Sequence, residues 1–184
     1  DTTKHDVAVR ALDLGAALIN DVSALSDPFM AECVAEHDAG VILMHMKGTP
    51  ENMQKNPTYE DLISEILDFL KDAVKRSLTA GIREDLIVVD PGIGFGKTVD
   101  DNLKIVKELS SIGAIGRPIL LGTSNKAFIG HILDKEAQDR DDGTMATVAA
   151  SVMHGAHMVR VHNVKKTVDT VKMIEAIKRG MAAH

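Results

Sequence analysis

Tryptophan is absent, tyrosine occurs once, and aromatic residues make up only 3% of the 184-residue chain. So few ring faces leave little for a platform on which bases could stack. Positive charge is also short: 21 Lys and Arg stand against 27 Asp and Glu, a formal net charge of −6. A nucleic-acid-binding domain is usually basic, so that class is not expected. The one cysteine, Cys33, excludes an intrachain disulfide and fits a reducing, cytoplasmic setting. No apolar run approaches the ~18 residues of a membrane-spanning helix, and no signal-peptide pattern opens the chain.

What is present suits an ordinary globule of one domain over residues 1–184, with 45% hydrophobic and 26% charged residues. The opening DTTK reads as the end of a strand entering a helix, so a segment preceding Asp1 is expected.

Five apolar runs recur: ALIND (17–21), VILMH (41–45), LIVVD (86–90), PILLG (118–122) and MVRVH (158–162). Near-continuous apolar runs suit strands buried on both faces of a parallel sheet. Helical periodicity separates them over 4–14, 29–37, 59–80, 101–112, 144–155 and 165–178. Gly81 is a stop for the third helix. Thr58 with Asp61 and Thr98 with Asp101 are candidate caps for the third and fourth. The polar stretch 134–143 reads as a mobile loop.

Alternating strands and helices mean a parallel α/β fold. An open doubly wound sheet gathers its polar site at one switch point. A (β/α)8 barrel spreads it over the C-terminal ends of many strands. Here nearly every run ends in polar groups: Asn20 and Asp21, His45, Asp90, Gly122 to Lys126, Arg160 and His162. That favours the barrel. Five strands fall short of eight, so the expectation is an incomplete barrel lacking its N-terminal strands.

DPGIGFGKT (90–98) looks like a nucleotide P-loop and fails as one. The motif needs glycine five positions before Gly96, and that position is Pro91. The spacing of Gly92, Gly94 and Gly96 also misses the dinucleotide fingerprint. The alternative places Asp90 at the strand end facing a ligand, with glycines letting backbone come close. A heterocycle presenting an amino group beside a ring N–H would give a carboxylate two parallel donors. Asn20 can offer both a donor and an acceptor. Lys126, Arg160 and His162 form a candidate anion cluster, as in the phosphate sites of barrels. Arg160 and His162 sit two apart, on one side of a strand. LMHMKGTP (43–50) reads as a rim loop carrying His45 and Lys47. His37, His131, His154, His157 and His184 lack metal-ligand spacing, and Cys33 reads as packed.

Together these runs resemble the dihydropteroate synthases in order and spacing. The resemblance rests on DTTK, INDVSAL (19–25), LMHMKGTPENMQ (43–54), DPGIGFGKTVDDNL (90–103), PILLGTSNKAFIG (118–130) and GAHMVRVHNV (155–164), and spans essentially the whole chain. It implies a (β/α)8 barrel that joins 6-hydroxymethyl-7,8-dihydropterin pyrophosphate to p-aminobenzoate and releases pyrophosphate. It further implies that Asp1, Asn20, Asp90 and Lys126 hold the pterin's polar edge, and that Phe95 and Gly122 shape its pocket. Arg160 and His162 would bind pyrophosphate with Mg2+ helping, so that Lys126, Arg160 and His162 act in the chemistry. Sulfonamides would compete for the aminobenzoate site. The small-molecule substrates are the implied partners, and a homodimer is left open. Corrinoid-dependent methyltransferases share the barrel and pterin pocket but need no pyrophosphate site; a non-catalytic pterin binder is the other alternative.

The chain departs from that pattern at three places. The family's N-terminal third, with its first two loops, is not in this sequence. Asn125 stands where the family has Arg in Ser-Arg-Lys, and Asn163 where it has Asp in Arg-Val-His-Asp. Losing the Arg removes a rigid planar donor.

Overall fold

All five apolar runs become strands in a computed structural model that describes residues 1–49 and 51–181. They are β1 (Leu18–Asp21), β2 (Gly40–Met44), β3 (Ile87–Asp90), β4 (Leu120–Leu121) and β5 (Met158–Val159). Every pairing is parallel, with Leu18 opposite Gly40, Val41 opposite Ile87, and Leu120 opposite Met158. A parallel bridge from Val89 to Ile119 joins β3 to β4, and the Val89 N–H donates to the Pro118 carbonyl at 2.9 Å. The strands therefore stand in chain order with no reversal. A doubly wound sheet reverses at its switch point; an unbroken order is the wall of a barrel.

Burial follows that order. β2 and β3 are buried along their whole length, while Leu18 on β1 and Met158 on β5 are 44% and 43% exposed. β1 and β5 are the outer strands of the wall, which is thus part of a barrel. The Thr2 N–H, donating to the Asn20 carbonyl at 3.1 Å, begins to cover the β1 edge.

Eight helices surround the wall among the described residues: α1 (His5–Asp13), α2 (Pro28–Glu36), α3 (Leu62–Thr79), α4 (Val99–Lys107), α5 (Leu109–Ile112), α6 (Ala127–Leu133), α7 (Asp141–Met153) and α8 (Val164–Arg179). On α3, Ile63, Ile66, Leu70 and Ala73 recur every three or four residues and all are buried. Each of the large ones contributes about 1.5–3 kcal/mol by leaving water. Asp61, not Thr58, caps this helix, its carboxylate accepting from Ser64 N–H at 3.3 Å. Gly81, at φ +94°, follows its end. Thr98 and Asp101 close the expected reciprocal box on α4, each backbone N–H held by the other's side chain.

Two findings differ from expectation. α6 falls where the sequence shows too short an apolar period to register. The stretch 134–143 is not a free loop: it holds a 3-10 turn (Ala137–Asp139) and the first turn of α7. Arg140 pins it, donating to the Lys135 carbonyl at 3.0 Å and the Asn125 carbonyl at 2.9 Å. Its guanidinium lies so close over Gly130 that a Cβ there would sit 2.4 Å from it.

The pleat sorts the side chains into two layers. Ile19, Val41, Leu43, Ile87, Val89, Ile119 and Leu121 face the helices and join the two large apolar clusters. On the opposite face Ile42, Val88 and Leu120 make a small cluster of their own, which is the barrel interior. Two residues further along those strands the same face carries Met44, Asp90 and Gly122. By the same alternation it carries Asn20 after Leu18 and Arg160 after Met158.

Candidate active site

The mouth of the barrel is thus lined by Asn20, Asp90, Gly122 and Arg160 because each is one pleat beyond an inward apolar residue. Asp90 is 7% exposed, and one of its oxygens accepts from the Gly92 N–H at 2.7 Å. Burial pushes its carboxyl up to about 6, against the downward pull of that N–H and of Lys97, Lys126 and Arg160. Asn20 Oδ1 is buried with no hydrogen-bond partner among the described residues. An acceptor left dry and unpaired costs about 1–3 kcal/mol, which a ligand carrying donors recovers.

Cations stand beside these acceptors. Lys126 Nζ lies 4.3 Å from the centroid of the Phe95 ring. Burial lowers its pKa, with Asp90 opposing and Arg160 adding to the shift. Arg160 Nη1 donates to Asp1 Oδ2 at 2.6 Å, tying the start of the chain to the end of the wall. Gly122, Ser124, Lys126, Arg160, Val161 and His162 line one recess of about 300 Å³. Lys126 also borders a second recess of about 450 Å³, with Gly94, Lys97, Thr98 and Phe128 among its other walls. Of the site residues expected from sequence, Asn20, Asp90, Phe95, Gly122, Lys126, Arg160 and His162 are at the C-terminal ends of the strands or on the loops that follow, and Asp1, ahead of α1, reaches them through Arg160.

Two local expectations are corrected. Arg160 does not sit on a buried strand: β5 ends at Val159, at the margin of the wall, and the Arg160 side chain is 51% exposed and ion-paired. Gly92 and Gly96 of DPGIGFGK are required by the protein's own backbone. A Cβ on Gly92 would lie 1.9 Å from the His45 carbonyl oxygen, and one on Gly96 2.3 Å from that of Lys47. His45 and Lys47 take part in this packing. His45 is 5% exposed, and burial with the nearby Lys97 and Lys47 lowers its pKa to about 3, so the ring is neutral. Lys47 turns toward α3, binding Glu65 at 2.9 Å and the Thr58 carbonyl. Pro50 and His184 lie outside the described residues.

Lys97 is the residue that sequence reasoning missed. It is buried, and its Nζ donates to His45 Nδ1 at 3.0 Å and to the Phe95 carbonyl at 2.9 Å. Burial depresses its pKa to about 7, with Asp90 and Asp101 opposing. It fastens the glycine loop to the loop after β2. The signal was present: a lysine one residue past the glycines, judged only as a P-loop lysine.

Both departures from the family pattern are satisfied locally. Asn125 adopts φ +55°, a region where Asn is better tolerated than Arg, and its Oδ1 accepts from Thr144 Oγ1 at 3.2 Å. Asn163 caps α8, accepting from Lys166 N–H at 3.2 Å, while its Nδ2 donates to Asp141 Oδ2 at 2.7 Å. An Asp at 163 caps equally well but sets two carboxylates against each other. Asn163→Asp is expected to lower stability by about 1 kcal/mol at pH 7. Thermal unfolding at pH 7 and at pH 3.5 checks this, since protonation at the lower pH should remove the difference.

Three of the remaining histidines make local contacts. His37 Nδ1 meets the Cys33 carbonyl at 2.8 Å, His154 Nδ1 the Val106 carbonyl at 2.9 Å, and His157 Nδ1 accepts from Ile119 N–H at 3.1 Å. Among the described residues no group of three His, Cys, Asp or Glu could hold a metal ion, and no helix is long and apolar enough to cross a membrane.

Known proteins with this arrangement are specific. The dihydropteroate synthase of Bacillus subtilis is 41% identical over 185 aligned positions, which cover 100% of this chain and 62% of that protein. The chain thus spans 62% of the length of that curated relative, and likewise 62% of the Escherichia coli K12 synthase. A crystal structure of the Yersinia pestis synthase with a sulfonamide drug complex superposes with a TM-score of 0.95 at 37% identity, over 98% of this chain and 66% of that one. The Thermus thermophilus synthase in complex with 6HMPPP gives 0.92 at 37%, over 97% and 71%. These likenesses make the wall five consecutive β/α units of a TIM barrel. The family model described as pterin binding enzyme matches residues 1–162, most of the chain and the whole of the mouth from Asp1 to His162, and the chain belongs to that family.

Proposed function

We propose that this chain carries the pterin and diphosphate subsites of a dihydropteroate synthase, an enzyme of folate biosynthesis. The observation that carries the reading is one inner face on which a partnerless buried Asn20 Oδ1 and a buried Asp90 carboxylate stand with two cations, Lys126 and Arg160, and the His162 ring beside them. A pterin edge brings an amino group and a ring N–H to Asp90 and a further donor to Asn20. Phe95 and Gly122 bound the ring. Lys126, Arg160 and His162 take the diphosphate. The curated relatives named as dihydropteroate synthases, and the solved complex of one with 6HMPPP, support the assignment.

The chemistry follows from the charges. The C–O bond between the pterin methylene and the diphosphate breaks, and its electron pair leaves on oxygen. Asp90 stabilises the positive charge that develops on the pterin, and the cations stabilise the departing anion. The arylamine nitrogen then bonds to the methylene carbon and loses a proton. The 450 Å³ recess on the far side of Lys126 is where the arylamine is proposed to approach. The Thermus synthase is also solved in complex with 4-aminobenzoate and the Yersinia one with a sulfonamide, so competition by sulfonamides belongs to the same reading. Mg2+ does not fit a site built by the described residues alone, and no step is assigned to it. A corrinoid-dependent methyl transfer leaves the Arg160–His162 recess without a purpose.

Arg160→Ala tests the reading by titration calorimetry. The diphosphate ester is expected to bind roughly tenfold to hundredfold more weakly, the value of a lost charge-assisted hydrogen bond. The free pterin alcohol should bind as before. Equal losses for both ligands would remove the anion role.

A further inference from the structure

Ser124 makes two contacts with one residue. Its Oγ accepts from the His162 backbone N–H at 3.2 Å and lies 2.7 Å from His162 Nδ1. Both residues line the 300 Å³ recess with Lys126 and Arg160. The proton accounting is restrictive. The backbone N–H can only donate, so it occupies a lone pair of Oγ. Among the described residues the hydroxyl hydrogen has no acceptor other than Nδ1. The arrangement that satisfies these groups within the protein has Ser124 O–H donating to a bare Nδ1. The ring proton is left on Nε2.

We propose that Ser124 is a positioning residue that fixes the tautomer and the rotation of His162, so that Nε2–H is presented to the diphosphate. This rests on the reading of the recess as the diphosphate subsite. The physical need is plain: an imidazole that turned its bare nitrogen to an anion would repel it. The same contact ties the loop after β4 to the end of β5, so the four groups of the recess hold one geometry before a ligand arrives. An exposed imidazole without that contact rotates freely about its side-chain bonds, and each approach of the anion must then select one orientation among several.

Ser124 needs no contact with the diphosphate for this role, which separates it from the cations. A small-residue role is served equally by alanine; a positioning role is not.

The test uses the wild-type protein, Ser124→Ala and Ser124→Thr, with 15N-labelled histidine. Long-range proton–nitrogen spectra of the ligand-free protein report which ring nitrogen of His162 carries hydrogen. The wild type and Ser124→Thr should show Nε2–H with a single set of signals, and Ser124→Ala a mixture or averaged signals. Titration with inorganic pyrophosphate should then give roughly threefold to tenfold weaker binding for Ser124→Ala, the range for one neutral hydrogen bond, and recovery in Ser124→Thr. A wild-type ring protonated at Nδ1, or an alanine variant identical to wild type in spectra and affinity, overturns the proposal. If pyrophosphate fails to bind wild type while the spectra come out as expected, the diphosphate reading falls and the tautomer assignment stands.

Discussion

Asp90→Asn should abolish measurable pterin binding while raising the melting temperature of the ligand-free protein at pH 7. Asp90 is buried, and its carboxyl is pushed from the ordinary 3.8 up to about 6. The folded state therefore holds this proton more tightly than the unfolded chain does. Stability attributable to Asp90 is undiminished below about pH 4, falls as the pH rises through the window from about 4 to 6, and stays low above it. At one unit per 1.36 kcal/mol the ionised form costs about 3 kcal/mol at pH 7. Asn still accepts from the Gly92 N–H but leaves its amide hydrogens unpaired, so the measured gain should be about 1–2 kcal/mol, or roughly 2–8 °C. It should shrink toward zero at pH 4. Binding moves the other way: the pterin loses two charge-assisted hydrogen bonds, and affinity should fall at least about a hundredfold. For the wild type the same logic weakens pterin binding as the pH drops below 6. Near-normal affinity in Asp90→Asn, or a melting temperature that does not respond to pH, would sink the assignment.

Gly92→Ala should be the most damaging single methyl group in the mouth. Gly92 has φ +73°, and the added Cβ would stand 1.9 Å from the His45 carbonyl oxygen. That oxygen cannot retreat, because the His45 N–H is held by the Asp90 carbonyl at 2.9 Å and the ring by Lys97. Left-handed backbone alone costs about 1–2 kcal/mol, and displacing the loop after β2 adds to it. A loss of about 3–4 kcal/mol is expected, which lowers the melting temperature by roughly 6–16 °C. Gly94→Ala is the natural control. It has φ +82°, but its Cβ meets only the Lys126 side chain, at 3.2 Å, and a flexible side chain can move. If thermal unfolding finds Gly92→Ala no worse than Gly94→Ala, the backbone contact is not what demands the glycine.

The strands and most helices were legible because burial imprints its period directly. β2 and β3 are buried on both faces and read as unbroken apolar runs. The placement of the candidate site was legible for a related reason: Asn20, Asp90 and Arg160 interrupt the apolar runs at the strand ends. What could not be read was tertiary. The clash that forces Gly92 involves residues 45 and 92, and no local pattern joins them. Lys97 reads in sequence only as a failed P-loop lysine and becomes a buried latch because His45 and Phe95 supply acceptors from two loops. Arg140 pins the segment 134–143 through carbonyls at 125 and 135, so a run rich in charge resembled a free loop. Arg160 reads as part of a strand because its neighbours are valines, yet the strand stops one residue before it.

The Asp1–Arg160 pair has a consequence for how the protein comes together. Every ladder in the wall joins strands that are successive in the chain, so most of the sheet can zip up between near neighbours. Asp1 and Arg160 meet across 159 residues, and a half-exposed ion pair of this kind contributes only about 0–1 kcal/mol. That contact is a seam, expected to close late and to open readily. A molecule that reaches from Asn20 and Asp90 to Arg160 and His162 stitches that seam, and amide hydrogens near its two ends should be the ones that slow most when it binds.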